Sequence, residues 1–469
     1  METKNLRSKL VCLFILSFLF LLVSGSLVTA TAQEIKLPPI KKTTLDNGLK
    51  LIVIEHHELP VVAFRLILKS GSTCDPQGKA GLANLTAGLL RKGTKTRSAT
   101  QIAEEIDFVG GSVGAGSGLD ATYATCQVLA KHFDVGLDLL SDIILNPVFK
   151  EDEIDRLRKQ TLAGIKQQKD NPGSVAEEKF RKFVFGDHPY GQPSEGTEES
   201  ITNILRDDIV GFHKGYYVPN NAILAVVGDV KSKEVIKKVK AKFLQWGGVE
   251  ITPPSVVEPP PIKGHQILLV DKPDLTQTYI RVGHLGIQRK NPDYFPVKVM
   301  NYILGGGGFA SRLMDEVRSK RGLTYGIHCS FDDNKLKGAY EVSTFTQNDS
   351  TAAAIDAIIA QIKKIRAEGV TDKELEDTKS FYTGYFPLQF ETPQQIATQV
   401  LDVELYELGE DYIKSYRDNI KGVTKEEVLR VAQKYLDPDN LKLVVVSKAE
   451  DVKSSLEPLG SMEVTSFLK

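Results

Sequence analysis

The strongest constraint on the fold is an internal repeat, because the second half of the sequence restates parts of the first at a nearly constant spacing. Three matched pairs of segments lie about 220 residues apart. They are KGYYVPNNAILAVVGD from Lys214 with QKYLDPDNLKLVVVSK from Gln433, Asp170-Asn171-Pro172 with Glu391-Thr392-Pro393, and Tyr123 with Tyr340. Chance would not keep the spacing, so the two halves are predicted to be copies of one domain.

Each half has the pattern of an α+β domain, in which strands and helices share one core. Strand composition occurs at 49–54, 61–69, 121–129 and 217–230, and helical periodicity at 82–90, 99–109, 133–145 and 150–168. The predicted fold is therefore two homologous α+β domains, each an antiparallel-rich sheet packed against helices. They are expected over residues 42–246 and 266–469. The proline-rich stretch 247–265 predicts an extended linker between them.

The first 32 residues differ from the rest of the chain. Three basic residues precede an apolar run at 10–23, and the small residues at 30–32 offer a cleavage site. This pattern predicts a signal peptide over 1–32, since the apolar run is short for a membrane span. Cys74, Cys126 and Cys329 then remain, an odd number of widely spaced thiols that indicates no disulfide framework. Export with so few cysteines favours the bacterial periplasm.

Composition and motifs exclude several kinds of function. The formal net charge of -1 argues against a nucleic-acid surface. None of the eight histidines has another at helical i,i+4 spacing, so no zinc site is evident from them. The G-x-S-x-G match at 110–114 is not a nucleophile elbow, because a helix is predicted before it and a strand after it.

The segment from Leu304 to Phe331, LGGGGFASRLMDEVRSKRGLTYGIHCSF, combines a glycine run, a short helix and a strand. The run Gly305, Gly306, Gly307 and Gly308 predicts a flexible loop with an accessible backbone. The helix is expected to end near Arg318, and Tyr325 is expected to share one strand face with Ile327. Either Arg318 and Tyr325 donate to a carbonyl of a bound peptide, or they are a solvated helix end and an inward strand residue.

The segment GLANLTAGLLRKGT at 81–94 resembles the inverzincin motif GLAHxxEHxxxKGT of the insulinase/pitrilysin family of metallopeptidases. In that family the two histidines bind zinc and the glutamate acts as the base. The corresponding residues here are Asn84, Ala87 and Gly88, and the position of the third ligand falls at Gly164. The resemblance therefore implies that this chain binds no metal and needs no cofactor of its own.

The second half resembles the same family through a different set of residues. An arginine and a tyrosine seven residues apart match Arg318 and Tyr325, and a substrate-binding glycine loop matches 305–308. Family members in bacteria are often split into two chains, of which one carries the zinc motif and the other the Arg/Tyr pair. This chain is similar to the second kind, and the resemblance implies that its two domains form a clam-like half-chamber.

The function implied by the resemblance is that of a zinc-free partner in a heterodimeric metallopeptidase, inactive alone. The partner would be a subunit with an HxxEH motif and its own zinc, and the substrate a peptide or an unfolded protein. The alternative is a structural or peptide-binding protein that has kept the fold without the chemistry. Whether the isolated chain forms a homodimer stays open.

Overall fold

The computed structural model describes residues 38–251, 256–259 and 261–467, so the predicted signal peptide and part of the predicted linker lie outside the described residues. The strands are β1 (Ile40–Thr44), β2 (Lys50–Glu55), β3 (Val61–Leu68), β4 (Ser112–Ser117), β5 (Thr122–Leu129), β6 (Ala222–Gly228), β7 (Gln266–Asp271), β8 (Gln277–Leu285), β9 (Ile327–Phe331), β10 (Ala339–Gln347), β11 (Lys442–Ser447) and β12 (Ser461–Ser466). The helices of the first half are α1 (Leu82–Leu89), α2 (Ala99–Phe108), α3 (Phe133–Leu145), α4 (Glu151–Lys169), α5 (Pro172–Phe185), α6 (Glu198–Asn203), α7 (Arg206–Tyr216) and α8 (Ser232–Phe243). Those of the second half are α9 (Tyr294–Asn301), α10 (Thr351–Glu368), α11 (Asp372–Tyr385), α12 (Pro393–Leu405), α13 (Tyr412–Gly422), α14 (Lys425–Tyr435) and α15 (Ala449–Leu456).

The strands form two six-stranded sheets with the same internal order. The first sheet has the order β1-β2-β6-β3-β5-β4 and the second β12-β7-β11-β8-β10-β9. Five strands of the first sheet have an equivalent at the same position in the second sheet. The remaining position, at one edge, is taken by β1 in the first sheet and by β12 in the second. Most neighbours are antiparallel, with β2 parallel to β6 and β7 parallel to both β11 and β12. The predicted pair of α+β domains is thus confirmed.

The strand register corrects one of the three matched pairs. Tyr123 pairs with Ile67, which pairs with Ile223, and the repeat equates Ile223 with Lys442. Lys442 in turn pairs with Gly283, and Gly283 pairs with Glu341. The structural equivalent of Tyr123 is therefore Glu341, and the alignment with Tyr340 was wrong by one residue. A shift of one residue reverses the face of a strand, so Tyr340 lies in the core while Tyr123 is exposed.

Both faces of the central strands are buried, which explains their near-continuous apolar sequences. One face of the first sheet packs on helices of its own half in a large apolar core, to which Phe64, Leu66 and Leu224 belong. The sole tryptophan, Trp246, belongs to this core and donates its indole N–H to the carbonyl of Tyr217 at 2.9 Å.

The other face of each sheet is covered by a helix from the opposite half. Helix α5 of the first half packs on β8 and β11, and helix α12 of the second half packs on β3 and β6. The core formed by α5 on the second sheet includes Ala176, Phe180 and Val444. The two halves therefore exchange one helix each, and the described residues of both halves belong to one compact unit.

The motif DNP and its counterpart ETP mark the first residues of these exchanged helices. Asn171 accepts hydrogen bonds from the amides of Gly173 and Ser174 at 2.9 and 3.1 Å, and Pro172 occupies the first helical turn. Thr392 caps α12 in the same way, with Pro393 next. An N-cap followed by proline is a strong helix start, because proline lacks only an amide that the first turn would leave unpaired.

No helix among the described residues is long and apolar enough to cross a membrane. The three cysteines Cys74, Cys126 and Cys329 are all free and buried. The exact limits of the predicted domains and linker remain predictions.

Candidate functional site

The helix that carries the altered metal motif, α1, is held in place by the half-buried carboxylate of Asp75. The two carboxylate oxygens of Asp75 accept hydrogen bonds from the amides of Gly81 and Ala83, each at 2.8 Å. Gly81 has a φ of +92°, which favours glycine, and a side chain there would collide with the carbonyl of Glu195. This tight turn fixes where the residues of α1 point.

Three of the four altered metal positions line one cavity of about 200 Å³ between α1 and α4. Asn84 and Gly88 contribute from α1, and Gly164 contributes from α4. The fourth, Ala87, is fully buried. Within the described part of the chain, no group of three or more His, Cys, Asp or Glu side chains is placed to hold a metal. One amide with two glycines and an alanine does not provide the ligands that zinc needs.

A side chain at Gly88 would have to displace the end of the Leu157 side chain. A Cβ atom there would lie 2.9 Å from Cδ2 of Leu157, a residue of α4. At Gly164, by contrast, a Cβ atom would meet nothing within 4 Å. Leu157 therefore occupies part of the volume that a ligand on α1 would use.

The glycine run forms packed helical turns, so the predicted loop was wrong. Residues Tyr302–Gly306 form a single π-helical turn that continues α9, and Gly308–Ala310 form a 3₁₀ turn. A Cβ atom on Gly305 would lie 2.7 Å from Sγ of Cys329, and one on Gly306 2.7 Å from Nδ2 of Asn301. The glycines are thus required because other atoms fill the space of their side chains.

Two further glycines complete this turn. A Cβ atom on Gly307 would lie 2.7 Å from the ring of Tyr302, and Gly308 adopts a φ of +57°. The backbone at Gly307 therefore lies directly against the Tyr302 ring.

Arg318 lies on the π-helical segment Met314–Lys320 that follows the turn. Its guanidinium carbon stands 4.7 Å from the ring centre of Phe309, a residue of the glycine turn. The preceding residue, Val317, is fully buried and anchors the segment in the core. Packing thus directs Arg318 outward and rests its planar group on an aromatic ring.

Tyr325 precedes the strand on which it was predicted. Strand β9 begins at Ile327, and Tyr325 is 82% exposed, so its expected place on the inward face was wrong. The hydroxyl of buried Thr324 donates to the carbonyl of Gly326 at 2.9 Å and accepts from the Gly326 amide at 3.0 Å. This local turn holds the chain away from strand geometry and leaves the phenol in solvent.

Arg318 and Tyr325 line the same surface cavity of about 340 Å³. Gly322, Thr324 and Phe345 contribute to its walls. The structure therefore brings together the two side chains that the sequence singled out, both on an open surface. Their catalytic role remains a prediction.

Sequence reasoning missed a charged cluster where α5 meets the second sheet. Glu177 and Arg181 lie on α5, Arg281 on β8 and Glu341 on β10, while Asp332 follows β9. The Nε atom of Arg281 is 2.9 Å from Glu341 Oε1, and the Nε of Arg181 donates to Glu177 at 2.8 Å. Arg181 also binds Asp332 through two nitrogens. These residues are far apart in sequence, so no local pattern of the sequence brings them together.

The cluster contains three carboxyl groups and two guanidinium groups. Its net charge is zero when one carboxyl group holds a proton and the other two are ionised. Burial, followed by the neighbouring Glu177, raises the pKa of Glu341 to about 8. Burial also opposes ionisation of Glu177, but hydrogen bonds from Glu341 and Arg181 keep its pKa below the usual value. Four members of the cluster, all except Glu341, line a cavity of about 620 Å³. The site therefore stores one proton near neutral pH.

This proton predicts a pH-dependent stability. The folded state keeps the Glu341 proton between pH 4.5 and about 8, where the unfolded chain has lost it, so the free energy of unfolding falls as the pH rises through that window. We expect a loss on the order of 1–3 kcal/mol in the native chain and a clearly flatter profile in Glu341→Gln. Urea unfolding at pH 5, 6, 7 and 8 measures the difference. Glu178→Gln, on the same helix, is the control, and parallel profiles for native chain and Glu341→Gln would contradict the assignment.

Known proteins resemble the chain along most of its length. The model of the insulinase family (peptidase family M16) matches residues 51–198, and the model of the peptidase M16 inactive domain matches residues 203–382. An uncharacterized zinc protease of Rickettsia bellii is 28% identical over 425 residues, which cover 90% of this chain and 95% of that protein. An uncharacterized zinc protease of Bacillus subtilis is 28% identical over 357 residues, which cover 75% of this chain and 85% of that protein.

Solved structures show the same architecture. A peptidase M16 inactive domain from Pseudomonas fluorescens superposes with a TM-score of 0.80 at 29% identity, over 87% of this chain and 98% of that one. A protease from Helicobacter pylori superposes with a TM-score of 0.82 at 24% identity, over 88% of this chain and 100% of that one. This likeness supports the fold. With the altered metal motif, the Arg/Tyr pair and two matching family models in one chain, the protein belongs to the insulinase family of peptidases, M16.

Proposed function

We propose that this chain is the zinc-free partner subunit of a heterodimeric M16 metallopeptidase. The observation that carries the proposal is an asymmetry between its two halves. The metal positions of the first half, Asn84, Ala87, Gly88 and Gly164, have no set of ligating atoms, whereas Arg318 and Tyr325 of the second half share one open cavity. A chain that had lost all chemistry would have no use for a half-buried arginine and an exposed phenol in one open cavity.

The chemistry would be divided between two chains. Zinc in an HxxEH-containing partner would supply a bound water as the nucleophile and a glutamate base beside it. Arg318 and Tyr325 would donate N–H and O–H groups to the carbonyl of the scissile peptide and to the oxyanion that develops from it. Arg318 is positioned by its helix and by Phe309, and the Thr324 turn fixes the backbone beside Tyr325.

The proposal extends to substrate and location. The glycine turn 305–308 would contact the backbone of a peptide or unfolded protein, and the two halves would form one side of a closed chamber. The basic residues, apolar run and small residues of 1–32 support export to a bacterial periplasm.

Purification of the chain alone and with its partner tests this function. We expect less than about 0.1 zinc per isolated chain by metal analysis and no hydrolysis of a quenched fluorescent peptide, because the altered positions cannot hold the metal. Co-purification from the native host should recover an HxxEH-containing chain, and the mixture should hydrolyse the peptide far faster than either chain alone.

Two results would contradict the proposal. One is a stoichiometric zinc in the isolated chain that a chelator removes together with peptidase activity. The other is a co-purified HxxEH chain whose activity does not change when this subunit is added, which would favour a structural or peptide-binding role.

A further inference from the structure

Phe309 is an exposed aromatic residue whose position packing does not explain. It is 75% exposed, although it belongs to a turn whose neighbours Gly305 and Ser311 are buried. The hydroxyl of Ser311 donates to the carbonyl of Gly308 at 2.7 Å and fixes the turn on both sides of the ring. A large apolar side chain that a rigid turn holds in solvent is well prepared to be covered by a ligand.

One face of the Phe309 ring is in contact with Arg318. With the guanidinium carbon 4.7 Å from the ring centre, the N–H groups of Arg318 remain available for acceptors beside the ring. The pair therefore offers an apolar surface directly next to a set of donors. A peptide unit has the matching parts, a carbonyl oxygen and, next to it, a side chain.

The apolar surface continues from the glycine turn along α11. The ring of Tyr302, against which Gly307 packs, is 4.7 Å from Phe381, and Phe381 stacks in parallel on Tyr385 at 5.6 Å. Phe381 and Tyr385 are each nearly half exposed. An aromatic row of Tyr302, Phe381 and Tyr385 thus extends from the glycine turn to which Phe309 belongs.

The first half has a cavity where the second half has this row. Gly164 and Tyr385 stand equally far before Pro172 and Pro393, which begin the exchanged helices. Buried Ile165 and Phe386, the next residue in each half, confirm the equivalence. Where the metal position of the first half has no side chain, the second half therefore presents a tyrosine ring.

We propose that Phe309 is a specificity-determining residue, which selects peptides with a large apolar side chain next to the carbonyl that Arg318 binds. The inference rests on the proposed function, because it assumes that the substrate is a peptide. It adds the class of side chain that this subunit prefers. Tyr302, Phe381 and Tyr385 extend the apolar surface for residues further along the same peptide.

Binding of labelled peptides to the purified full-length chain tests the inference. The probes are fluorescein-labelled Gly-Ser-Gly-X-Gly-Ser-Gly amides, with X as Phe, Leu, Ala or Lys, measured by fluorescence anisotropy. For the native chain we expect X = Phe to bind about tenfold more tightly than X = Lys. Phe309→Ala should remove most of that preference and change the affinity for X = Ala less than about twofold. Phe309→Tyr should keep the preference, since the ring is retained.

The matched control is Phe108→Ala, which removes the other strongly exposed phenylalanine of the described residues, 91% exposed at the end of α2. It should bind all four peptides as the native chain does. If Phe309→Ala lowered the affinity for all four peptides equally, the inference would be overturned. It would also be overturned if the native chain bound none of the peptides, or bound all four with equal affinity. A concentration-dependent self-association that Phe309→Ala abolishes would also overturn it, by assigning the ring to a contact between copies.

The outcome is separable from that of the proposed function, since no partner chain is present in the binding experiment. Selective binding without activity in any mixture would support the specificity of Phe309 and contradict the peptidase role.

Discussion

Replacing Tyr325 by phenylalanine is expected to lower peptide turnover by the reconstituted complex about a hundredfold to a thousandfold, the usual effect of losing one preorganised oxyanion donor. The phenol is 82% exposed and lies before the start of β9, so the hydroxyl is not needed for packing. The variant keeps the ring and loses only the O–H donor. Turnover should therefore fall while thermal stability stays within about 0.5 kcal/mol of the native chain.

Arg318→Lys should cause a comparable loss for a different reason. An ammonium group has no planar fork of donors and cannot lie on the Phe309 ring as a guanidinium does. Its charge is unchanged, so a large effect would identify geometry as the cause.

Peptide hydrolysis with an HxxEH-containing partner, measured beside thermal melts, checks both variants. His328→Ala is the control, since His328 is an exposed residue of β9 close to Tyr325 in sequence. Native turnover from Tyr325→Phe and Arg318→Lys in an active complex would leave the pair without a catalytic role.

Replacing Phe180 by alanine is expected to cost about 3–5 kcal/mol of unfolding free energy, the range for removing a fully buried phenylalanine ring. Phe180 lies on the exchanged helix α5 and is completely buried against the second sheet. It packs so closely that a Cβ atom on Gly283 would lie 2.9 Å from its Cζ atom. The ring therefore connects the two halves, and its loss should weaken both.

Chemical unfolding followed by two signals measures this effect. Fluorescence of Trp246 reports on the first half, and far-ultraviolet circular dichroism reports on the whole chain. Both midpoints should shift together, whereas Phe108→Ala should change stability by no more than about 0.5 kcal/mol. A shift of less than about 1 kcal/mol for Phe180→Ala would mean that α5 does not hold the halves together.

The sequence predicts local structure well wherever periodicity decides it. Helix α3 has the limits that its apolar spacing indicates, Phe133–Leu145, because one stripe of that helix faces the core. The repeat similarly predicts two related domains, since equivalent segments bury equivalent surfaces. The shared cavity of Arg318 and Tyr325 also agrees with their predicted proximity.

The remaining features depend on contacts between distant residues. Glycines 305–307 appear flexible from the sequence, yet Cys329, Asn301 and Tyr302 fill the space of their side chains. The register error at Tyr123 arose because Tyr340, an identical residue, stands one position from the true equivalent, Glu341. Only the pairing of the strands shows which residue lies on which face of the sheet. The cluster around Glu341 joins four elements of the fold, so no local pattern indicates it.

The exchange of helices also determines when folding can be completed. A ribosome makes the first sheet long before it makes α12, which begins at Pro393 and covers the outer face of that sheet. Until then the apolar face of β3 and β6 has no cover, and the nascent first half is exposed to aggregation and to chaperones. The chain therefore cannot mature one domain at a time. A product truncated after the first half would contain every strand of its sheet and still lack a surface that folding requires.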